Sequence, residues 1–223
     1  MINWLLDGSN WVGMDGVASL IVQHLIYTGL ALFAACCIGI PIGLYVGHTQ
    51  RGIVVIAGFS NVMRALPSLG LVVLLVIVFG QVFTSDLAFE IPSLIVLSVL
   101  VLPPIVTSTY AGILAVDAAV VDAARGMGYR PMRLLFGVEV PCALPMIISG
   151  LRSATLQTVS TATIAAYVSL GGLGRLIIDG RAQNDYGQMA AGALLVGLLA
   201  LALDLVFVTL SQFAVSPGIS RRI

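Results

Sequence analysis

Asp122-Ala123-Ala124-Arg125-Gly126-Met127-Gly128, with Val138-Glu139-Val140-Pro141 following ten residues later, is the longest polar interval in a chain otherwise built of apolar blocks. It carries three arginines, Arg125, Arg130 and Arg133. Ala118, Ala119, Ala123 and Ala124 predict a short helix over Val116–Met127 with a narrow surface that can seat deeply in a groove of a partner. Asp122 places a negative charge near the expected start of that helix, where the dipole favours it. Gly128 permits a chain reversal that a Cβ would obstruct. Pro131 suits the first turn of a second short helix, Pro131–Val138. Pro141 and Pro145 are expected to end that helix and begin the next apolar block. From these residues alone, a solvated loop with a helical stretch is an equally good reading.

The chain is 59% hydrophobic and 9% charged, with a mean hydropathy of +1.09. No soluble domain of this size needs so little charged surface. The apolar residues come in long blocks without a period of 3.6 or 2, which argues for membrane spans. Net charge is zero, so nothing suggests a nucleic-acid partner. All ten basic residues are arginine, a weak sign of codon bias in the source. The three cysteines form no CxxC and have no histidine at ligand spacing, so no metal site is expected, and they read as small packing residues.

Five apolar crossings are expected: about Val17–Val46, Ile53–Phe83, Ile91–Val116, Ala143–Val168 and Gly187–Phe213. Each exceeds the ~20 residues that span a ~30 Å hydrocarbon core at ~1.5 Å per residue. The second block is too long for one straight helix and too short for two. Arg64 and Pro67 in its middle predict a bend or a tilted piece followed by a crossing from about Ser68. Met1–Gly16 has no basic residue, so it is not expected to be a secretory signal. Trp4 and Trp11 suit a segment at the membrane surface. Placing the polar interval in the cytoplasm puts Arg51, Arg125, Arg130, Arg133, Arg221 and Arg222 inside. Arg175 and Arg181, and the acidic turn Thr84–Glu90, then lie outside. The positive-inside tendency favours this orientation, with the N-terminus outside and the C-terminus cytoplasmic. The expected organisation is an external segment 1–16 and a single transmembrane domain 17–223, with a cytoplasmic loop 117–141 and no soluble domain. No internal repeat suggests inverted halves.

The polar interval resembles the coupling loop of ABC-importer permeases. That loop reads as an acidic residue, Ala-Ala, three residues, Gly, nine residues, then aliphatic-x-aliphatic-Pro. Here Asp122 replaces the commoner Glu, and Val138 and Val140 replace Ile and Leu. The resemblance implies that Asp122, Ala123, Ala124, Gly128, Arg130, Pro131, Val138 and Pro141 belong to a loop that enters a cleft of an ATP-hydrolysing subunit and passes its closure to the membrane helices.

A second run, Gly150-Leu151-Arg152-Ser153 through Gln157 to Ala165-Ala166-Tyr167, then Gly171-Gly172-Leu173-Gly174, resembles permeases for glycine betaine, choline, carnitine and related osmoprotectants. This likeness extends from about Pro67 to Gly174 and more loosely over the whole chain. The Gly-Gly-Leu-Gly element is also found in importers of the methionine type and is less selective. Ser153, Thr155, Gln157, Thr158, Ser160, Thr161 and Thr163 make this the most polar crossing. Small hydroxyls allow close helix packing or can line a weakly polar path. A quaternary ammonium carries no hydrogen on nitrogen and needs no strong donor. Ser153, Gln157, Thr158, Thr161 and Tyr167 are therefore path candidates, with helix packing as the alternative. Gly171, Gly172, Leu173 and Gly174 form an external loop that the resemblance assigns to binding-protein contact or gating.

Arg152 and Asp204 lie inside apolar spans, where ionisable groups are rare and costly. Each is about nine residues from the cytoplasmic end of its crossing, so at ~1.5 Å per residue their depths match. They are expected to pair, unless each reaches water or backbone carbonyls separately. Arg64 caps the broken helix or faces the path. His24 and His48 lie near span ends and read as interfacial.

The resemblance implies an all-α integral membrane protein with five core transmembrane helices, the second broken, of the type I importer permease class in a bacterial cytoplasmic membrane. No nucleotide-binding GxxxxGK[ST] occurs, so the chain is not expected to be an enzyme or to hold a cofactor. ATP and magnesium would bind a separate ATPase dimer. A second, identical or homologous permease and an extracytoplasmic solute-binding protein would complete the assembly. A permease for methionine or an alkyl sulfonate is the alternative, and a channel or non-ABC transporter a more distant one. An intramembrane enzyme would need HExxH, GxSG or clustered carboxylates, which the sequence lacks.

Overall fold

A computed structural model of the chain describes residues 1–81, 87–168 and 171–214. Arg221, Arg222 and residues 84–86 of the expected acidic turn Thr84–Glu90 lie outside the described residues, and residues 87–90 open a helix instead of a turn. Ten α-helices occur among the described residues, and no strand. They are α1 (Ile2–Leu6), α2 (Val17–Thr49), α3 (Ile53–Ala65), α4 (Ser68–Phe79), α5 (Leu87–Leu114), α6 (Ala118–Gly126), α7 (Pro131–Leu134), α8 (Val140–Ala165), α9 (Gly174–Ala182) and α10 (Tyr186–Ala214).

Four stretches are long and apolar enough to cross a membrane: Val17–Thr49, Phe89–Leu114, Pro131–Val168 and Tyr186–Gln212. The pair α3 and α4, bent by 88° at its break, makes a fifth as a broken span. The break falls at Leu66-Pro67. Proline has no N–H for the ladder and disfavours helical backbone in the residue before it. The all-helical expectation with a broken second span therefore holds.

The fourth crossing departs from expectation. Pro141 and Pro145 do not separate a short helix from a span. From Pro131 the chain stays helical through α7, a π-helical stretch Leu135–Glu139, and α8, with Pro145 inside the helix. The π stretch widens the turn just before Pro141. A wider turn accommodates a ring that would otherwise press on the preceding carbonyls. A further helix, α9, follows the glycine loop where only a turn was expected.

The described residues group into two compact units. One comprises Met1–Ala34, Ala65–Val101 and Thr155–Leu203, the other Ala35–Arg64, Leu102–Ala154 and Asp204–Ile223. In the first, Val17, Leu20, Leu173, Leu176 and Leu195 form one buried cluster, with Trp4 and Leu5 against it. Ala31, Leu97, Ala162 and Ala165 form another. The N-terminal segment is held by its own polar groups. Asn10 donates to the carbonyl of Trp4 at 2.8 Å, and the Trp11 indole donates to that of Leu5 at 2.8 Å. The Ser9 hydroxyl, then its backbone N–H, donate to Asp7 and hold that carboxyl below its ordinary range.

In the second unit, Ile113, Leu135, Ala143 and Ile147 are the buried core, with Leu44, Val140 and Leu151 packed around them. Here α2 meets α5 along Gly39, Gly43 and Gly47. A Cβ on Gly43 would stand 2.5 Å from the Thr109 Cβ and 3.0 Å from the Val106 carbonyl oxygen, and one on Gly47 would stand 2.6 Å from the Ile113 Cβ. Small residues at every fourth position let the two backbones approach, and dispersion supplies the attraction that water exclusion cannot supply in lipid.

The apolar surface left over faces outward. On α10, Leu194, Leu198, Leu201, Leu205, Val206 and Leu210 are exposed, as a lipid-facing helix requires. Gly43→Val should cost about 1–3 kcal/mol through overpacking. Gly197→Val, on a glycine with open space around it, should leave stability near wild type. The fraction of purified protein that stays monodisperse after stepwise heating measures both.

Candidate functional site

The polar interval begins one helical cap earlier than its motif. Asp117, not Asp122, starts α6: its carboxylate accepts from the Ala119 N–H at 2.9 Å. An N-terminal carboxylate satisfies a free donor and opposes the helix dipole at once. Asp122 lies in the middle of α6, exposed and 3.7 Å from Arg125, so the expected position at the helix start is corrected. Ala124 is buried while Ala123 is exposed, which gives α6 one packed and one free face.

Gly128 has φ +81°, a left-handed conformation that glycine adopts without steric cost. It reverses the chain so that the Tyr129 N–H donates to the Ala124 carbonyl at 3.2 Å. Arg130 caps α7 with an extended backbone, and Pro131 occupies its first position. The Arg133 guanidinium lies 4.7 Å from the centre of the Tyr129 ring. Val138 is half-buried within the π stretch, and Pro141 is half-buried at the start of α8. Met127 and Met132 are 71% and 70% exposed on either side of the reversal, so the tip presents two apolar side chains beside the exposed Arg130.

Along α8 the candidate path residues divide. In the first unit Gln157 and, just past α8, Tyr167 are exposed, as is the intervening Ser160; Ser153, in the second unit, is exposed as well. Thr158 and Thr155 are buried and belong to the packed side. Thr161 is half-buried, and its hydroxyl donates to the Gln157 carbonyl at 2.8 Å. The Gln157 amide donates to the Leu100 carbonyl at 3.1 Å, which fixes its side chain.

The glycine loop is clamped by α2. The Gly172 N–H donates to Gln23 Oε1 at 3.1 Å, and Gly172 has φ +92°. A Cβ at Gly171 would collide with that same Gln23 oxygen, and one at Gly172 would meet His24 Nδ1 at 3.0 Å. Leu173 is fully buried, and Gly174 is buried at the start of α9, where an added Cβ would collide with the Thr163 carbonyl and the Ala166 methyl of the fourth span. His24 is not interfacial. It is 1% exposed, and its Nε2 lies 3.0 Å from the Val159 carbonyl, which identifies Nε2 as the protonated nitrogen. Its Nδ1 is buried without a hydrogen-bond partner.

Arg152 and Asp204 come together. Arg152 Nε and Nη2 donate to the two Asp204 carboxylate oxygens at 2.5 and 2.7 Å, a two-pronged pair. The fork of a guanidinium matches both oxygens of a carboxylate. Arg64 is exposed beside the break between α3 and α4.

The sequence reading missed one polar pair. His48 Nδ1 lies 2.6 Å from Glu139 Oε2, and the Glu139 side chain is only 7% exposed. The signal was present: Glu139 is the single acid between the apolar residues of Val138-Glu139-Val140, in a chain with ten acids in all.

If the Arg152–Asp204 pair acts as a unit, then Arg152→Gln and Asp204→Asn each destabilise the protein, and the double variant loses less than the sum. Thermal survival of the three purified variants against wild type gives the cycle. Additive losses contradict a direct interaction.

Over residues 39–221 the sequence matches the family described as the binding-protein-dependent transport system inner membrane component. It is 30% identical over 203 residues to the osmoprotectant import permease protein OsmW of Salmonella typhimurium, covering 91% of each chain. It is 30% identical over 201 residues to the choline transport system permease protein OpuBD of Bacillus subtilis, covering 90% of this chain and 85% of the relative. Among solved structures, the inward-facing methionine ABC transporter MetNI is similar at a TM-score of 0.74 and 20% identity, over 89% of this chain and 96% of that one. That likeness establishes the fold alone. A helical membrane protein with a capped, glycine-reversed polar loop, matched over most of its length by transport permeases, belongs to the binding-protein-dependent inner-membrane permease family of ABC importers.

Proposed function

We propose that the chain is the membrane-spanning permease of an ATP-driven importer for osmoprotectants of the quaternary-amine class, such as glycine betaine, carnitine or choline. The loop 117–141 carries this reading: a helix capped by Asp117, reversed at Gly128 and restarted at Pro131, with Met127 and Met132 exposed at its tip. Such a tip suits a groove on a separate ATPase dimer, which binds ATP and magnesium and performs the hydrolysis. The permease itself is then no enzyme and carries no cofactor.

The orientation proposed is the one the arginines favour, with segment 1–16 outside, the single domain 17–223 in the membrane and the loop in the cytoplasm. Gly171–Gly174 then lies toward the outer side, where a loaded solute-binding protein docks; because Gly172, Leu173 and Gly174 are buried, the expected direct contact is corrected to a loop that holds this end of the fold. A second permease, identical or homologous, completes the path. The exposed Ser160 and Tyr167 hydroxyls support this, because lipid offers those groups no hydrogen bonds. The solute class rests on the relatives: one is named for osmoprotectants and one for choline. Binding protein and ATP both drive the cycle only through differential affinity for its states.

Reconstituted with its ATPase, partner permease and binding protein, the chain should support ATP-dependent uptake of labelled glycine betaine. Gly128→Pro, which cannot adopt φ +81°, should abolish uptake while membrane insertion persists. Asp122→Lys should do the same. Full uptake in both variants would defeat the loop assignment. Robust ATP hydrolysis without glycine betaine uptake would redirect the solute to another small molecule.

A further inference from the structure

We propose that His48 and Glu139 form a joint that ties the end of α2 to the loop, so that loop movement drives α2 as well as α8. This rests on reading the loop as the element that meets the ATPase. His48 is in the last turn of α2. Glu139 is the last residue of the π stretch Leu135–Glu139. A π turn redirects the side chains that follow it, and such turns frequently mark functional positions. The two side chains meet at 2.6 Å and are 18% and 7% exposed. A carboxylate that deep needs a partner, and His48 is the partner it has.

Both ends of the joint are rigidly held. On the α2 side, the Thr49 hydroxyl donates to the Tyr45 carbonyl at 2.7 Å, and the Arg51 N–H donates to the Thr49 hydroxyl at 3.3 Å. Gln50 (φ 57°) and Gly52 (φ 85°) then turn the chain sharply. On the loop side, Ala124, Leu134 and Leu135 are buried, and the Tyr129 N–H to Ala124 carbonyl bond ties α6 to the start of α7. Those contacts make α6, α7 and the π stretch one piece.

Two clefts open between these pieces. A cavity of about 270 Å³ is lined by His48, Arg125, Tyr129, Pro131 and Leu134. Another of about 210 Å³ has His48, Gln50, Asp122, Arg125 and Glu139 in its wall. Leu44 meets the cluster of Ile113, Leu135, Ala143 and Ile147, Val46 is buried, and Gly47 closes on Ile113 of α5. Those contacts hold α2 to α5; in the last turn, the contact that reaches Glu139 and sets the register with the loop is the His48 hydrogen bond.

The test uses the assembled transporter with spin labels at Gln50 and Met132, both exposed. In the otherwise wild-type complex the label-to-label distance should stay the same with and without ATP, because the two positions move together. In His48→Ala and in Glu139→Gln it should shift on ATP binding. His48→Asn, which keeps a donor near the Nδ1 position, should restore the constant distance. Transport per ATP hydrolysed should fall about tenfold in the two broken variants, the effect of losing one charge-assisted hydrogen bond, without loss of assembled complex. Distance distributions that coincide across wild type and both broken variants would overturn the joint, as would parallel falls in transport and hydrolysis. Gly128→Pro in the same preparation separates the two ideas. If it leaves transport coupled, the loop reading fails and the joint with it. If it uncouples transport while His48→Ala does not, the joint alone fails.

Discussion

A bilayer offers no hydrogen-bond partner to the backbone, and the rest of this structure follows from that constraint. Every span must satisfy its own N–H and C=O groups, so the chain is helical wherever it is apolar. The hydrophobic effect cannot then hold the helices to one another, because lipid is as apolar as leucine. Close backbone approach has to do it. Gly43 and Gly47 against Thr109 and Ile113 show the result: the distances leave no room for a methyl group. The large apolar side chains of α10 are free to face outward for the same reason.

Within that apolar frame, polar side chains are few, and several of them join distant parts of the chain. Gln23 and His24, adjacent on α2, grip two different things: Gln23 the backbone of Gly172, and His24 the carbonyl of Val159. Arg152 and Asp204 fasten α8 to α10 with two parallel hydrogen bonds. In water such contacts would exchange with solvent and hold little. Out of water their alternatives are unsatisfied groups, so they fix helix register more firmly than their number suggests.

The spans, the break at Pro67 and the glycine reversal were legible in the sequence, because each depends on local chemistry. Length and hydropathy fix a span, a missing N–H fixes the break, and a left-handed φ fixes Gly128. The same local logic misplaced the start of the fourth span. Pro141 reads as a helix boundary, yet the π stretch before it absorbs the ring, and no local rule announces a π turn. Asp122 drew attention through its motif, while the cap went to Asp117, whose carboxylate reaches the Ala119 N–H. His24 and His48 read as interfacial because their partners, Val159 and Glu139, are far away in sequence. Arg152 and Asp204 were also distant, but matching depth along two helices gave a geometric reason to join them. No such measure connects a helix end to a residue in a π turn.

That difference bears on how a permease of this kind can move. A loop attached only to the helix that follows it would swing α8 and leave its neighbours to follow through packing. Near the end of α2 the packing runs to α5 through Gly47, while clefts open on the side of the loop. A short, buried hydrogen bond loses most of its value within a fraction of an ångström of misalignment, so it transmits displacement where loose packing would absorb it. The π turn that carries Glu139 is a less stable backbone than an unbroken α-helix. Its persistence beside Pro141 makes sense if the side chain it presents has a mechanical task, and the deepest acid of the loop is the side chain it presents.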